Sequence, residues 1–290
     1  MRIQTVLCPI DFSNLAAREL EIAAEVGRAF GARLVLHHNR MAIAPGMARA
    51  WDWEASHHAE HLGEGEAEQR LAAALGAVPA GVPADGVISE GPLGLAVLSL
   101  AERLAADLIV IGSHGWSTPE HASVTERLIS QAPCPVLSLH EGDERPQLLR
   151  FDPERGETMP RAVVPTDFSP TARHALEYAC ALARTVPVNL ELLHVLPGRT
   201  HRSSAAESTA RARLDAAVPD DLTARVTTCV RHGEPTTEIL SHLAEVRPQF
   251  AVLGEHARDV MRHLFTRDTA RGVVHAASCP VWIVTARAAV

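Results

Sequence analysis

Short apolar runs alternate with amphipathic stretches along the whole chain. In the second half the runs are "RAVVPT", "VNLELLHV", "TARVTTCV", "FAVLGE" and "PVWIVT". Between them lie segments of helical length such as "SPTARHALEYACALAR", where Ala172, Ala175, Leu176, Ala179 and Leu182 recur three or four residues apart. That spacing predicts one apolar helix face. Ser169 followed by Pro170 predicts an N-cap with proline at the first helical position. Strands that alternate with helices predict a parallel sheet covered on both faces. Ligands of such sheets sit beyond the carboxyl ends of the strands, where the strand order reverses.

The pattern occurs twice. "VLCPIDFSNLAARELEIAAEVGR" returns as "AVVPTDFSPTARHALEYACALAR", and "ISEGPLGLAVLSLAERLAADLIVIGSHG" returns as "VRHGEPTTEILSHLAEVRPQFAVLGEHA". "SVTERLISQAPCPVLSL" returns as "DTARGVVHAASCPVWIV". The order is preserved, which predicts two tandem domains over residues 1–140 and 161–290. The polar, Pro- and Gly-containing stretch 141–160 reads as the linker.

Composition narrows the chemistry. The net charge of −8 argues against a nucleic-acid partner. Every positive side chain is arginine, so a lysine nucleophile, Schiff base or phosphate-loop lysine is excluded. The opening "MRIQTVLCPIDFS" holds too short an apolar run for a signal peptide, and no stretch predicts a bilayer span. The five cysteines are scattered without a Cys-x-x-Cys pair, which predicts reduced, mostly buried thiols and a cytoplasmic location.

One stretch resembles a phosphate cradle. After the apolar "DLIVI" come Gly112 and Gly115, a polar loop, and Ser123-Val124-Thr125 at an expected helix start. Glycines let the backbone approach phosphates, and a helix N-terminus offers free N–H groups.

The ordered motifs resemble those of the universal stress protein family. The first strand ends in Pro-x-Asp-x-Ser, as Pro9/Asp11/Ser13 and Pro165/Asp167/Ser169. The second ends in Leu-His, as Leu36-His37 and Leu193-His194. Gly91-Pro92 and Gly233-Glu234-Pro235 lead a helix, a fourth strand ends in Gly-x-His, and a last helix runs into Cys-Pro-Val. The resemblance implies an α/β fold of two doubly wound domains, each a five-stranded parallel sheet of order 3-2-1-4-5 flanked by helices. It also implies an adenine nucleotide, ATP in the family's binding members. The corresponding contacts would be Pro9, Asp11, His38, Ile111, Gly112, Gly115, Ala122, Ser123 and Val124 in the first half. In the second half they would be Asp167, Val195 and Gly254.

Both copies depart from the family's Gly-x-x-Gly, nine residues, Gly-Ser/Thr pattern. In the first, six residues separate Gly115 from Ala122, and Ala122 stands at a glycine position. His38 brings a polar ring where the family usually has valine. In the second the spacing is right, but Ala257 and Arg267-Asp268 replace the glycines and serine. A carboxylate at Asp268 opposes phosphate, partly offset by Arg258, Arg262, His263 and Arg267. Weak binding is expected in the first half and little in the second.

Other features have plain readings. His57 and His61, spaced i and i+4 beside His58, are a candidate metal pair but read better as a solvated helix face. Trp51 and Trp53 read as lid or interface packing. Cys134 and Cys279 read as core residues. Asp11 and Asp167 have an alternative role in bracing the following helix. Gly-Ser-His-Gly is not a nucleophile elbow, and no catalytic dyad is evident, so no enzyme activity is assigned.

The expected function is a cytoplasmic stress-response protein that binds partners and adenine nucleotide. The family resemblance further implies a pseudo-dimer of the two halves through their last strands, "CPVLSL" and "CPVWIVT", and homodimers are a second form of self-association. A switch with slow ATPase activity in the first half is the alternative function. A nucleotide-dependent enzyme of related fold is a third reading.

Overall fold

The computed structural model describes residues 1–40, 64–113, 127–140, 147–198, 204–255 and 267–285. The chain divides into two compact units, Arg2–Glu141 and Gly142–Val290 with Met1. No helix among the described residues is long and apolar enough to cross a membrane.

In the first unit the elements are β1 (Thr5–Pro9), α1 (Asn14–Phe30), β2 (Arg33–Arg40), α2 (Glu64–Ala77), β3 (Ala84–Glu90), α3 (Leu93–Leu104), β4 (Leu108–Ser113) and β5 (Val136–His140). The strands run in the order β3-β2-β1-β4-β5, and every pairing is parallel. The expected order is therefore the observed one. Val6, Leu7 and Cys8 of β1 are fully buried, as expected for a central strand covered on both faces. Strand order reverses between β1 and β4, which makes their C-terminal ends the switch point of the sheet.

The second unit repeats the plan. It holds β6 (Arg161–Pro165), α4 (Pro170–Thr185), β7 (Asn189–Leu196), α5 (Ser204–Ala217), β8 (Val226–His232), α6 (Pro235–Val246), β9 (Phe250–Gly254), α7 (Arg267–Ala276) and β10 (Val281–Val284). The order is β8-β7-β6-β9-β10, again parallel. The predicted apolar face of α4 is buried throughout, at Ala172, Ala175, Leu176, Ala179 and Leu182. Ser169 caps this helix through its side chain, accepting from the Ala172 N–H at 3.2 Å, and Pro170 occupies the first turn. Ser13 has the same extended backbone before α1 but makes no side-chain cap.

The stretch expected to be a linker contains ordered packing. Leu148 and Leu149 are buried, and Pro153–Arg155 forms a short 3-10 turn capped by Asp152. Two apolar side chains in a polar stretch found cover, which composition alone does not reveal.

Candidate functional site

The candidate site of the first unit lies at the switch point. Pro9 ends β1, Asp11 lies two residues beyond it, and Ile111 and Gly112 are the last residues of β4 before Ser113 ends the strand. The Asp11 carboxylate accepts the Ser13 N–H at 2.9 Å, and Asp167 accepts the Ser169 N–H at 2.9 Å. Both aspartates thus close an Asx turn that carries the chain from strand into helix. The residue between them is held in the left-handed region in both units, Phe12 at φ 61° and Phe168 at φ 62°. Non-glycine residues reach that region at a cost, so packing must hold them there.

A histidine supplies that packing. The His38 ring lies 4.5 Å from Phe12, and its Nδ1–H donates to the Ile10 carbonyl at 3.0 Å. In the second unit His194 lies 4.6 Å from Phe168, and its Nδ1–H donates to the Thr166 carbonyl at 2.7 Å. The Arg213 guanidinium lies over the Phe168 ring, 3.9 Å from its centroid. Burial lowers the pKa of both histidines.

This geometry corrects the repeat alignment by one residue. Pro9 pairs with His37, whereas Pro165 pairs with Leu193. His38 is therefore the counterpart of His194, and Asn39 is the counterpart of Val195. His38 is not a polar intrusion at the valine position; it is the turn-bracing histidine of its unit. Two adjacent histidines offered the sequence comparison two registers, and only strand pairing selects one.

The extra residue is His37, which is fully buried. Its Nε2–H donates to Ser89 Oγ at 2.7 Å, Ser89 donates to Asn39 Oδ1 at 3.1 Å, and Asn39 Nδ2 donates to the Gly91 carbonyl at 2.8 Å. That chain of donors leaves His37 Nδ1 buried with no hydrogen-bond partner. Burial, with the charges of His38 and Arg103 beside it, pushes the His37 pKa down to about 4. Asn39 and Ser89 escaped the sequence reading because nothing local marks a cross-strand polar chain.

Gly112 and Gly254 are needed by the protein itself. A Cβ on Gly112 would strike the Glu19 carboxylate and Leu15 of α1, and one on Gly254 would strike the Thr171 carbonyl of α4. Each glycine thus admits a helix against the end of its strand. Gly254→Ala meets rigid backbone and is expected to cost about 2–3 kcal/mol. Gly112→Ala meets movable side-chain ends and is expected to cost less, about 1 kcal/mol. Denaturant unfolding of both variants checks the ranking, and an equal or inverted ranking would contradict it.

Gly115, Ala122, Ser123 and Val124 lie outside the described residues, as do Ala257, Arg258, Arg262 and His263. The same holds for Trp51, Trp53, His57, His58 and His61. Arg267 and Asp268 open the described part of α7. Val195 is fully buried in β7. Cys8, Cys134, Cys180 and Cys279 are buried, and Cys229 is half-buried. Burial raises the thiol pKa of Cys134 to about 12, which suits a packing role.

Two doubly wound domains in tandem, each with an Asp-x-Ser turn at its switch point, define the class of protein. The chain matches the universal stress protein family over residues 2–140 and 159–285, and it belongs to that family. It is 29% identical over 139 residues to a universal stress protein of Synechocystis, covering 46% of this chain and 83% of the relative. It is 30% identical over 137 residues to a universal stress protein of Thermus aquaticus, covering 46% of this chain and 96% of the relative. A crystal structure of a universal stress protein from Archaeoglobus fulgidus shares the fold over 98% of this chain and 97% of its own, with TM-score 0.65 and 19% identity.

Proposed function

We propose that this protein serves in the cytoplasmic stress response as a binding protein, and that its first unit takes an adenine nucleotide weakly at the switch point. One observation carries the reading. β1 and β4 pair in parallel where the strand order reverses, and Pro9, Asp11, Ile111 and Gly112 lie toward or just past their C-terminal ends. Open parallel sheets bind their ligands there. Asp11 would be the polar contact at the nucleoside end, and Ser123 with the N–H groups of Val124 and Thr125 would meet phosphate. Asn39, as counterpart of Val195, replaces His38 as the second-strand residue beside the base. The second unit would be the poorer site, because its sequence has Asp268, a carboxylate, where the family pattern has Ser or Thr.

Titration calorimetry with ATP tests this. The expected dissociation constant is on the order of 10–100 μM, or roughly −5.5 to −7 kcal/mol. Gly115→Arg should remove binding by filling the phosphate space, while Ala257→Arg leaves it unchanged. Equal loss in both variants, or no heat up to millimolar ATP, would remove the nucleotide from the proposal and leave partner binding. Homodimer formation is part of the same proposal, and sedimentation equilibrium, which reads the mass of the assembly, tests it.

A further inference from the structure

A polar trio sits away from the switch point, where α6 crosses β7 and β8. Glu191 of β7, Cys229 of β8 and His242 of α6 each place a ligand atom within 4.8 Å of the others. Among the described residues this is the one group of three such side chains so placed. Glu191 and His242 are buried, and Cys229 is half-buried.

The repeat supplies an internal control. Val163 pairs with Glu191 in the second unit, and Leu7 pairs with Val35 at the same step in the first. Leu193 pairs with Cys229, and His37 pairs with Val87. His242 is the eighth residue of α6, and Leu100 is the eighth residue of α3. The trio therefore replaces Val35, Val87 and Leu100. The fold is satisfied by three apolar side chains here, so packing does not demand a carboxylate, a thiol and an imidazole.

Their arrangement is also incomplete as a polar cluster. His242 Nε2–H donates to Glu191 Oε1 at 3.0 Å. Glu191 Oε2 is buried with no hydrogen bond, and its charge is met by an ion pair to the half-exposed Arg161 at 3.7 Å. A buried carboxylate oxygen without a donor is a costly group that a bound cation would satisfy.

We propose that Glu191, Cys229 and His242 bind a borderline-soft divalent cation of the zinc class. One sulfur, one nitrogen and one oxygen are ligands that zinc accepts, and three protein ligands leave a fourth position to water. Ligand atoms at zinc distances lie roughly 3.2–3.7 Å apart, so the trio must close by about 1 Å. Cys229 gives its thiol proton to solvent, and the His242 proton moves from Nε2 to Nδ1. The resulting thiolate and the Glu191 carboxylate neutralise the two charges of the cation. Arg231, now 3.5 Å from His242 Nδ1, must turn aside from that proton. It can do so because Glu238 at 2.8 Å and Glu245 at 2.7 Å already hold it.

Cobalt(II) and zinc(II), added alone to the reduced full-length protein, test the site. One equivalent of cobalt should give a near-ultraviolet thiolate charge-transfer band, and zinc should bleach it. Cys229→Ser should abolish the band and weaken zinc binding by at least the ~10–100-fold that losing a hydrogen-bond partner of a metal ligand costs. The triple variant Glu191→Val, Cys229→Val, His242→Leu copies the first unit's residues, should fold, and should show neither band nor zinc binding at this site. No thiolate band with cobalt, a band that survives Cys229→Ser, or zinc bound as tightly by the triple variant would each overturn the proposal.

Discussion

Trp282→Ala is expected to destabilise the second unit by about 4 kcal/mol. Trp282 in β10 is fully buried, with Tyr178 of α4 at 6.0 Å and Phe250 of β9 at 5.8 Å between ring centres. Truncation removes the largest buried side chain of the unit and leaves a cavity that two neighbouring rings on different elements are poorly placed to fill. The indole also carries a penalty, since its Nε1–H is buried without an acceptor. Trp282→Phe removes that donor and keeps most of the apolar contact, so its cost should stay below about 1.5 kcal/mol. Equilibrium unfolding in urea, followed by circular dichroism, measures both. A loss under about 1 kcal/mol for Trp282→Ala would show that the ring cluster does not support the unit.

Acidification is expected to destabilise the first unit through His37. Its pKa is about 4 in the folded protein, against the ordinary 6.5 for an exposed histidine. The unfolded chain therefore binds the proton more readily than the fold does. Stability is highest with the ring neutral, above pH 6.5, and falls as the pH drops from 6.5 to 4. Across that window the loss approaches about 3 kcal/mol, at about 1.36 kcal/mol for each pH unit that separates the folded and unfolded values. The pKa of His38 is also lowered by burial, so part of the first unit's acid sensitivity belongs to it. His37→Leu, which copies Leu193, should flatten the pH dependence without removing it. Unfolding free energies at pH 7.5 and pH 5, measured on both proteins, separate these contributions. An unchanged slope in His37→Leu would assign the effect elsewhere.

The candidate site was partly legible in sequence, in the places where one short segment does the work. Asp11 and Asp167 each sit two residues before a serine whose N–H they accept, so the turn is written locally. Gly112 and Gly254 were legible as positions of close approach, but the approaching group is the protein's own helix. Sequence spacing records that a side chain is excluded and is silent about what excludes it.

By itself the sequence determined the tandem repeat, the alternation of strands and helices, the buried face of α4 and the Ser169-Pro170 helix start. These follow from periodicity and local backbone chemistry, which act over a few residues. The resemblance to the universal stress protein family added the strand order. Tertiary structure alone decided that His38 rather than His37 matches His194, because pairing register depends on the neighbouring strand. It alone joined His37, Ser89 and Asn39 into one chain across β2 and β3. It alone brought Glu191, Cys229 and His242 together from two strands and a helix, since contacts between residues far apart in sequence leave no local periodicity to read.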